Sequence, residues 1–321
     1  MTGTQRARTG EAALPTAVMS EAEFRALYQR LRGQLPWGRD DRRGALNYLT
    51  PEEVRAAVRE VKLGRTVSLA APVENWPAAD NPEPARHEMK GPLGSDAGPG
   101  VSFGMDRIAM NIHGNADSHI DALCHVMFDG TLHNGLAADT VDENGAAELS
   151  IDVAADGIVG RGVLLDIPRS RGVPWLEPGD SVTVDDVLAA ERDQGVRAGR
   201  GDIVCVRVGH RSRRAEQGPW DAARARAGLH PSVLPVLAER QIAVLAGDGN
   251  NDTAPSAVAG IGFPVHVLAV NALGLHLLDY LRFTDLATMC AAAGRWSFLC
   301  VIAPLRLPTG TGSPVNPIAV F

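Results

Sequence analysis

Residues Asn111 to Gly135 read NIHGNADSHIDALCHVMFDGTLHNG, and this stretch holds four of the nine histidines of a 321-residue chain. Parity sorts it. His113, Asn115, Asp117, His119 and Asp121 are odd, whereas Ile112, Ala116, Ser118 and Ile120 are even and small or apolar. Side chains alternate between the two faces of an extended chain, so every metal-capable group falls on one face and the packing groups on the other. A helix would scatter His119 and Asp121 to different sides. His119 and Asp121 therefore predict a two-point clamp, Cβ atoms about 7 Å apart, that can grip one ion. Imidazole nitrogen with carboxylate oxygen suits Zn²⁺ or Mn²⁺ better than Ca²⁺ or Mg²⁺. His125 lies too far along a continued strand to share that ion. A helix beginning after Asp121 would instead bring Asp121 and His125 together as i, i+4 neighbours, setting a titratable base beside the metal.

Working outward, strands are predicted at Ile108 to Ile112, Val163 to Ile167, Ile203 to Val208, Ile242 to Leu245 and Phe298 to Ile302, all rich in branched apolar residues. Helices are predicted from Ser20 to Arg32, from Pro51, from Thr183 to Gln194, from Pro231 to Arg240, from Pro264 to Ala272 and from Thr284 to Ala293. Ser20 with Glu23 and Thr183 with Asp186 have capping-box spacing, Thr50 precedes a proline at the first helical position, and Thr284 is read as a cap. Strands mixed with helices along one continuous pattern predict a single α/β domain with a mixed sheet over residues 20–321, preceded by a loose tail over 1–19. Residues 72–104 are rich in Pro and Gly and read as a long surface loop.

Composition narrows the function. A hydrophobic fraction of 45% and a charged fraction of 21% are those of an ordinary globular protein. A net charge of -7 argues against nucleic acid as the main partner, and the run Arg211, Arg213, Arg214 reads as solvated surface. The four cysteines form no Cys-x-x-Cys pair, and Cys124 reads as a small buried residue rather than a nucleophile. No apolar run is long enough for a signal core or a membrane span, so a cytoplasmic enzyme is expected. There is no Gly-x-Gly-x-x-Gly fingerprint and no Walker loop. The acidic loop Gly247 to Asp252 lacks the closing Glu of an EF-hand, and the run Gly310 to Pro317 reads as a terminal turn. Trp37, Trp76 and Trp175 lie in loop-like stretches and could cover an apolar substrate.

Ser118-His119-Ile120-Asp121-Ala122-Leu123-Cys124-His125 resembles the signature His-x-Gly-Thr-His-x-Asp-x-x-x-His of the cyclase family of metal-dependent hydrolases, which includes bacterial kynurenine formamidase and isatin hydrolase. The stretch Trp37 to Pro51, the run Gly201 to Arg207, the Asp248 loop, His266 and Gly312 to Val315 extend the likeness over most of the chain. The resemblance implies a swivelling β/β/α fold, a homodimer or homotetramer, a small-molecule substrate, and hydrolysis of an amide or lactone at one divalent metal, Mn²⁺ or Zn²⁺, with room for a second. It puts metal-ligand roles on His119 and Asp121, the acid/base role on His125, and His266 and Asp279 in the catalytic apparatus. Two positions depart from the pattern. The first histidine, four residues before His119, is Asn115 here, and His113 on the same face is the candidate replacement. The later glutamate is Asp279, one residue further from His266 than the family spacing. A metal-dependent cyclase or dehydratase, or a member of the fold without catalysis, stays open at this point.

Overall fold

A computed structural model describes residues 18–89 and 100–321. Its runs of Val, Leu and Ile assemble nine strands into one mixed sheet: β1 (Thr66–Ser68), β2 (His119–Asp121), β3 (Ile158–Asp166), β4 (Ile203–Arg207), β5 (Val244–Gly247), β6 (His276–Asp279), β7 (Ser297–Ile302), β8 (Gly312–Pro314) and β9 (Ile318–Val320). The spatial order is β1-β9-β7-β3-β4-β5-β6-β2-β8. β3, β4, β5 and β6 are parallel neighbours and form the centre. Parallel neighbours need crossovers, and the helices supply them: α3 (Ile167–Arg171) and α4 (Val184–Gln194) after β3, α5 (His210–Gln217) and α6 (Leu234–Glu239) after β4, α7 (Pro264–His266) after β5, and α8 (Thr284–Ala293) after β6. α1 (Glu21–Arg32) and α2 (Pro51–Val58) precede the sheet. On one side β2 adds antiparallel to β6, and β8 antiparallel to β2.

The sequence signals explain the helix boundaries. Ser20, Thr50 and Thr183 each accept from the first turn of their helix, and the carboxylate three residues on reaches back to the cap nitrogen. α1 buries Phe24, Leu27, Tyr28 and Leu31 as one stripe. Thr284 is not a cap: α8 starts on it, and Phe283 at the cap makes no side-chain bond. The helix expected over Pro264 to Ala272 begins as α7 and then widens into a π-helix over Val267–Ala272. Insertions of this kind often sit at functional sites.

Several expectations are corrected. The strand expected over Ile108 to Ile112 is Asp106–Ala109, paired with Arg86–Met89 in an exposed hairpin outside the main sheet. β6 and α5 were not expected, and the Gly310 to Pro317 turn contains β8. The arginines of α5 are not a solvated face. Arg211 is half-buried and reaches the carbonyls of Ala116 and Tyr280, while Arg214 grips Glu74 and Asp80. The loose tail expected over residues 1–19 lies outside the described residues except Val18 and Met19, and Met19 bridges to Val258. All four cysteines are free and buried. Among the described residues no helix is long and apolar enough to cross a membrane.

Candidate metal centre

β2 is three residues long, and it is flanked on both sides. His119 opposes Asp279 on β6 and Pro314 on β8, and Asp121 opposes Gly312. Directly opposed residues present their side chains to the same face, so His119, Asp121 and Asp279 converge there while Ile120 packs into the core. The alternation read from the sequence therefore holds at His119 and Asp121. It does not extend upstream: residues 111–117 turn rather than run as a strand, and His113 arrives by that turn. Nor does a helix follow Asp121. A tight turn closed by His125 N–H donating to Ala122 O (3.0 Å) brings the imidazole back instead. The His125 ring then stacks on His113, centroids 3.7 Å apart.

Two sets of ligand atoms result, each with its members within 4.8 Å of one another: His113, His119 and Asp121, and Asp121, His266 and Asp279. Asp121 belongs to both. Hydrogen bonds orient the rings. His119 Nδ1–H donates to the carbonyl of Asp117 (2.9 Å), which leaves Nε2 as a lone pair 3.6 Å from Asp121 Oδ1. His266 Nδ1–H donates to Asp252 Oδ2 (2.5 Å), leaving Nε2 3.4 Å from Asp121 Oδ2 and 3.3 Å from Asp279 Oδ2. Such outer partners fix the tautomer that a metal ligand needs. His113 lies with Nδ1 3.0 Å from Asp121 Oδ1 and Nε2 3.1 Å from Thr311 Oγ1. Asp279 is held from behind, its Oδ1 by Asn251 and its Oδ2 by Asn250. The acidic loop after β5 is thus the bracket of the second set. Asn115 is engaged elsewhere, its Oδ1 accepting from the Tyr280 hydroxyl (2.9 Å).

The charges ask for a cation. Asp121 is wholly buried, and its Oδ2 makes no hydrogen bond. Burial opposes its ionisation, yet the surrounding imidazoles, His125 foremost, hold its carboxyl well below the usual carboxylate range. Burial likewise opposes the imidazolium of His266, but Asp279, Asp121 and Asp252 outweigh it and raise this group well above the ordinary histidine range. His125 behaves differently. Burial dominates, and its imidazole is pushed down to about 4, so it is neutral at pH 7. Burial pushes the Cys124 thiol up to about 12, which removes it as a nucleophile. An orphaned buried carboxylate oxygen among convergent imidazole and carboxylate donors fits a divalent ion of the Zn²⁺ or Mn²⁺ type.

The centre opens into a cavity of about 490 Å³, within the range of small-molecule sites. Val126, Met127, Phe128, Ile261, Phe263 and Val267 give it an apolar lining. None of the three tryptophans singled out by sequence lines it: Trp37 packs on Tyr48, Trp76 is exposed, and Trp175 bonds Glu177. Asp252, Tyr280 and the two asparagines at 250 and 251 were not assigned roles from sequence. The signal available for Asp252 was its place at the end of a loop following a strand, and for Tyr280 its adjacency to Asp279.

The Cyclase family model matches residues 45–251. The crystal structure of a novel cyclase is 31% identical and superposes with a TM-score of 0.78, covering 89% of this chain and 98% of that one. Isatin hydrolase A from Labrenzia aggregata, bound to benzyl benzoate, is 22% identical with a TM-score of 0.56, covering 79% and 93%. Isatin hydrolase A from Ralstonia solanacearum is 21% identical with a TM-score of 0.56, covering 85% and 99%. No curated protein sequence matches the chain.

Proposed function

The chain belongs to the cyclase family, and from that premise we propose that it is a metal-dependent hydrolase that cleaves an amide or lactone bond in a small, partly apolar substrate. The observation that carries this reading is the pair of ligand sets sharing the buried, unbonded Asp121 beside a neutral His125. His113, His119 and Asp121 are the ligands of the first site. His266 and Asp279, with Asp121, are the ligands of a second, so that His266 and Asp279 belong to the metal centre. A bound divalent cation, Zn²⁺ or Mn²⁺, supplies Lewis-acid polarisation of a carbonyl and acidifies water. His125 acts for the protein: being neutral, it takes a proton from the attacking water and returns it to the leaving nitrogen or oxygen. The walls at Phe128, Ile261 and Phe263 desolvate an aryl or cyclic substrate, in keeping with the two isatin hydrolases of the same fold. A homo-oligomer in the cytoplasm is part of the same proposal. The hairpin arm, with exposed Met89, Phe103, Met105 and Ile108, offers it an apolar surface.

The test is elemental analysis of the purified protein and of the His119→Ala, Asp121→Ala double variant, followed by a screen of cyclic amides and lactones in ¹⁸O-labelled water. One or two Zn or Mn per chain, lost in the variant, with ¹⁸O in the product, is the expected result. No metal after reconstitution, or turnover without label, would sink the hydrolase.

A further inference from the structure

The family pattern places a histidine ligand where this chain has Asn115, and the structure shows what each neighbour does instead. His113 is delivered to the ligand position: its Nδ1 is 3.0 Å from Asp121 Oδ1, and its Nε2 is tied to Thr311 Oγ1 at 3.1 Å. Asn115 is left lining the cavity, half-buried, with its Oδ1 taken by the Tyr280 hydroxyl. With its oxygen turned to the tyrosine, the amide keeps both N–H groups as donors for the cavity. Among the described residues nothing accepts from that nitrogen.

The tyrosine that imposes this orientation is itself held at a cost. Tyr280 is buried with φ of 56°, a left-handed backbone that a bulky aromatic residue rarely adopts. Its N–H donates to Gly249 O (2.9 Å), and its carbonyl accepts from Ser118 Oγ (2.8 Å) and from half-buried Arg211 (2.6 Å). The backbone is thus fixed on both sides, immediately after Asp279, in the conformation that delivers the phenol to Asn115.

Resting on the hydrolase reading above, we infer that Asn115 is not a metal ligand but a donor to the substrate's carbonyl oxygen, and that Tyr280 is the residue that positions it. In the step it serves, the water oxygen forms a bond to the carbonyl carbon, the C=O electron pair moves onto oxygen, and the water proton passes to His125. The Asn115 amide N–H donates to that oxyanion. Collapse restores C=O, breaks the carbon–nitrogen or carbon–oxygen bond, and returns the proton from His125 to the leaving atom. One well-placed amide donor of this kind is worth about 10²- to 10³-fold in turnover.

The test separates ligand from donor without requiring a known substrate. Zn²⁺ titration is compared among the wild type, Asn115→Ala, Asn115→Asp, Tyr280→Phe and His113→Ala, and benzoate, whose carboxylate mimics the oxyanion, is then titrated into the zinc-loaded proteins. Asn115→Ala should keep zinc affinity within about twofold and weaken benzoate roughly 10- to 100-fold, as loss of a hydrogen bond to a charged group does. Asn115→Asp should weaken benzoate further by repulsion while holding zinc at least as well. Tyr280→Phe should weaken benzoate less and leave zinc unchanged. His113→Ala should lose zinc affinity by about tenfold or more. A zinc loss in Asn115→Ala with retention in His113→Ala would make Asn115 the ligand and overturn the inference. Benzoate binding that is absent in the wild type, or equal in every variant, would overturn the donor role while leaving the metal centre standing. Failure of the wild type to take up zinc would overturn the hydrolase reading and this inference together.

Discussion

At the scale of single residues, the first site depends on an atom that is missing. A Cβ on Gly312 would lie 2.6 Å from His113 Cε1 and 2.6 Å from the carbonyl oxygen of Ile120. The carbonyl belongs to β2 and cannot yield, so the imidazole must. Gly312→Ala should therefore tilt His113 away from Asp121 and lower affinity for Zn²⁺ about tenfold, the scale of outer-shell disruption at metal sites, with an unchanged far-ultraviolet circular dichroism spectrum. Calorimetric titration checks this, and unaltered affinity would mean that His113 is dispensable. His119 and Asp121 were legible in the sequence because their geometry is local: two residues apart in extended chain share a face whatever surrounds them. Asp252 and Tyr280 were not, because their roles are defined by partners far along the chain, at His266 and Asn115. His125 was legible as a neighbour of the site and misread in its path, since a single tight turn and a helix both return the chain after four residues.

At the scale of elements, α5 acts as a clamp. Arg214 pairs with both oxygens of Glu74 (2.8 Å each) and with Asp80, whose side chain is wholly buried. Arg211, one turn earlier, holds the chain just before β2 through Ala116 O. The strap over residues 72–89 is thereby fastened beside the loop that carries His113, and Asn111 of that loop bonds Glu83 of the strap. Arg214→Ala strands a buried carboxylate, which costs about 3 kcal/mol when a buried pair is broken. The loss should be local: limited proteolysis within residues 72–89 should accelerate, with Arg214→Lys recovering only part because an ammonium cannot span both carboxylates. Equal cleavage rates in wild type and Arg214→Ala would show that the strap is held by other contacts. The sequence HRSRRAEQ carries no apolar stripe, so periodicity did not reveal this helix. The helices with caps and stripes, α1 and α4, were read almost to the residue because caps and stripes are local signals. β6 was missed because its four residues, HLLD, offer neither alternation nor length.

At the scale of the molecule, the central parallel strands bury titratable rings along with the branched side chains, and this ties stability to pH. His276 opens β6 with both ring nitrogens buried and, among the described residues, unbonded. Burial pushes it down to about 3, with His133 and Arg43 adding to the effect and Asp121 opposing it. Burial does the same to His210, also to about 3. In both cases the folded value lies below the unfolded value of 6.5, so the unfolded chain binds protons first. Their contribution is complete above about pH 6.5 and is lost as pH falls toward 3. Asp248 has the opposite sign. Burial pushes its carboxyl up to about 6, so its contribution is present below about pH 4 and is lost as pH rises through 6. A wild-type profile therefore mixes the two, and a variant must isolate one. His276→Leu keeps roughly the same volume and removes the proton-binding group. Between pH 7 and pH 4.5 the wild type should lose about 3 kcal/mol through His276, at about 1.4 kcal/mol per unit of the interval below 6.5. The variant should be spared that loss, so its urea midpoint should fall less over the same interval while Asp248 acts equally in both. Parallel falls in the two proteins would mean that the ring protonates in the folded state without penalty, and that the core around β6 admits a partner for it.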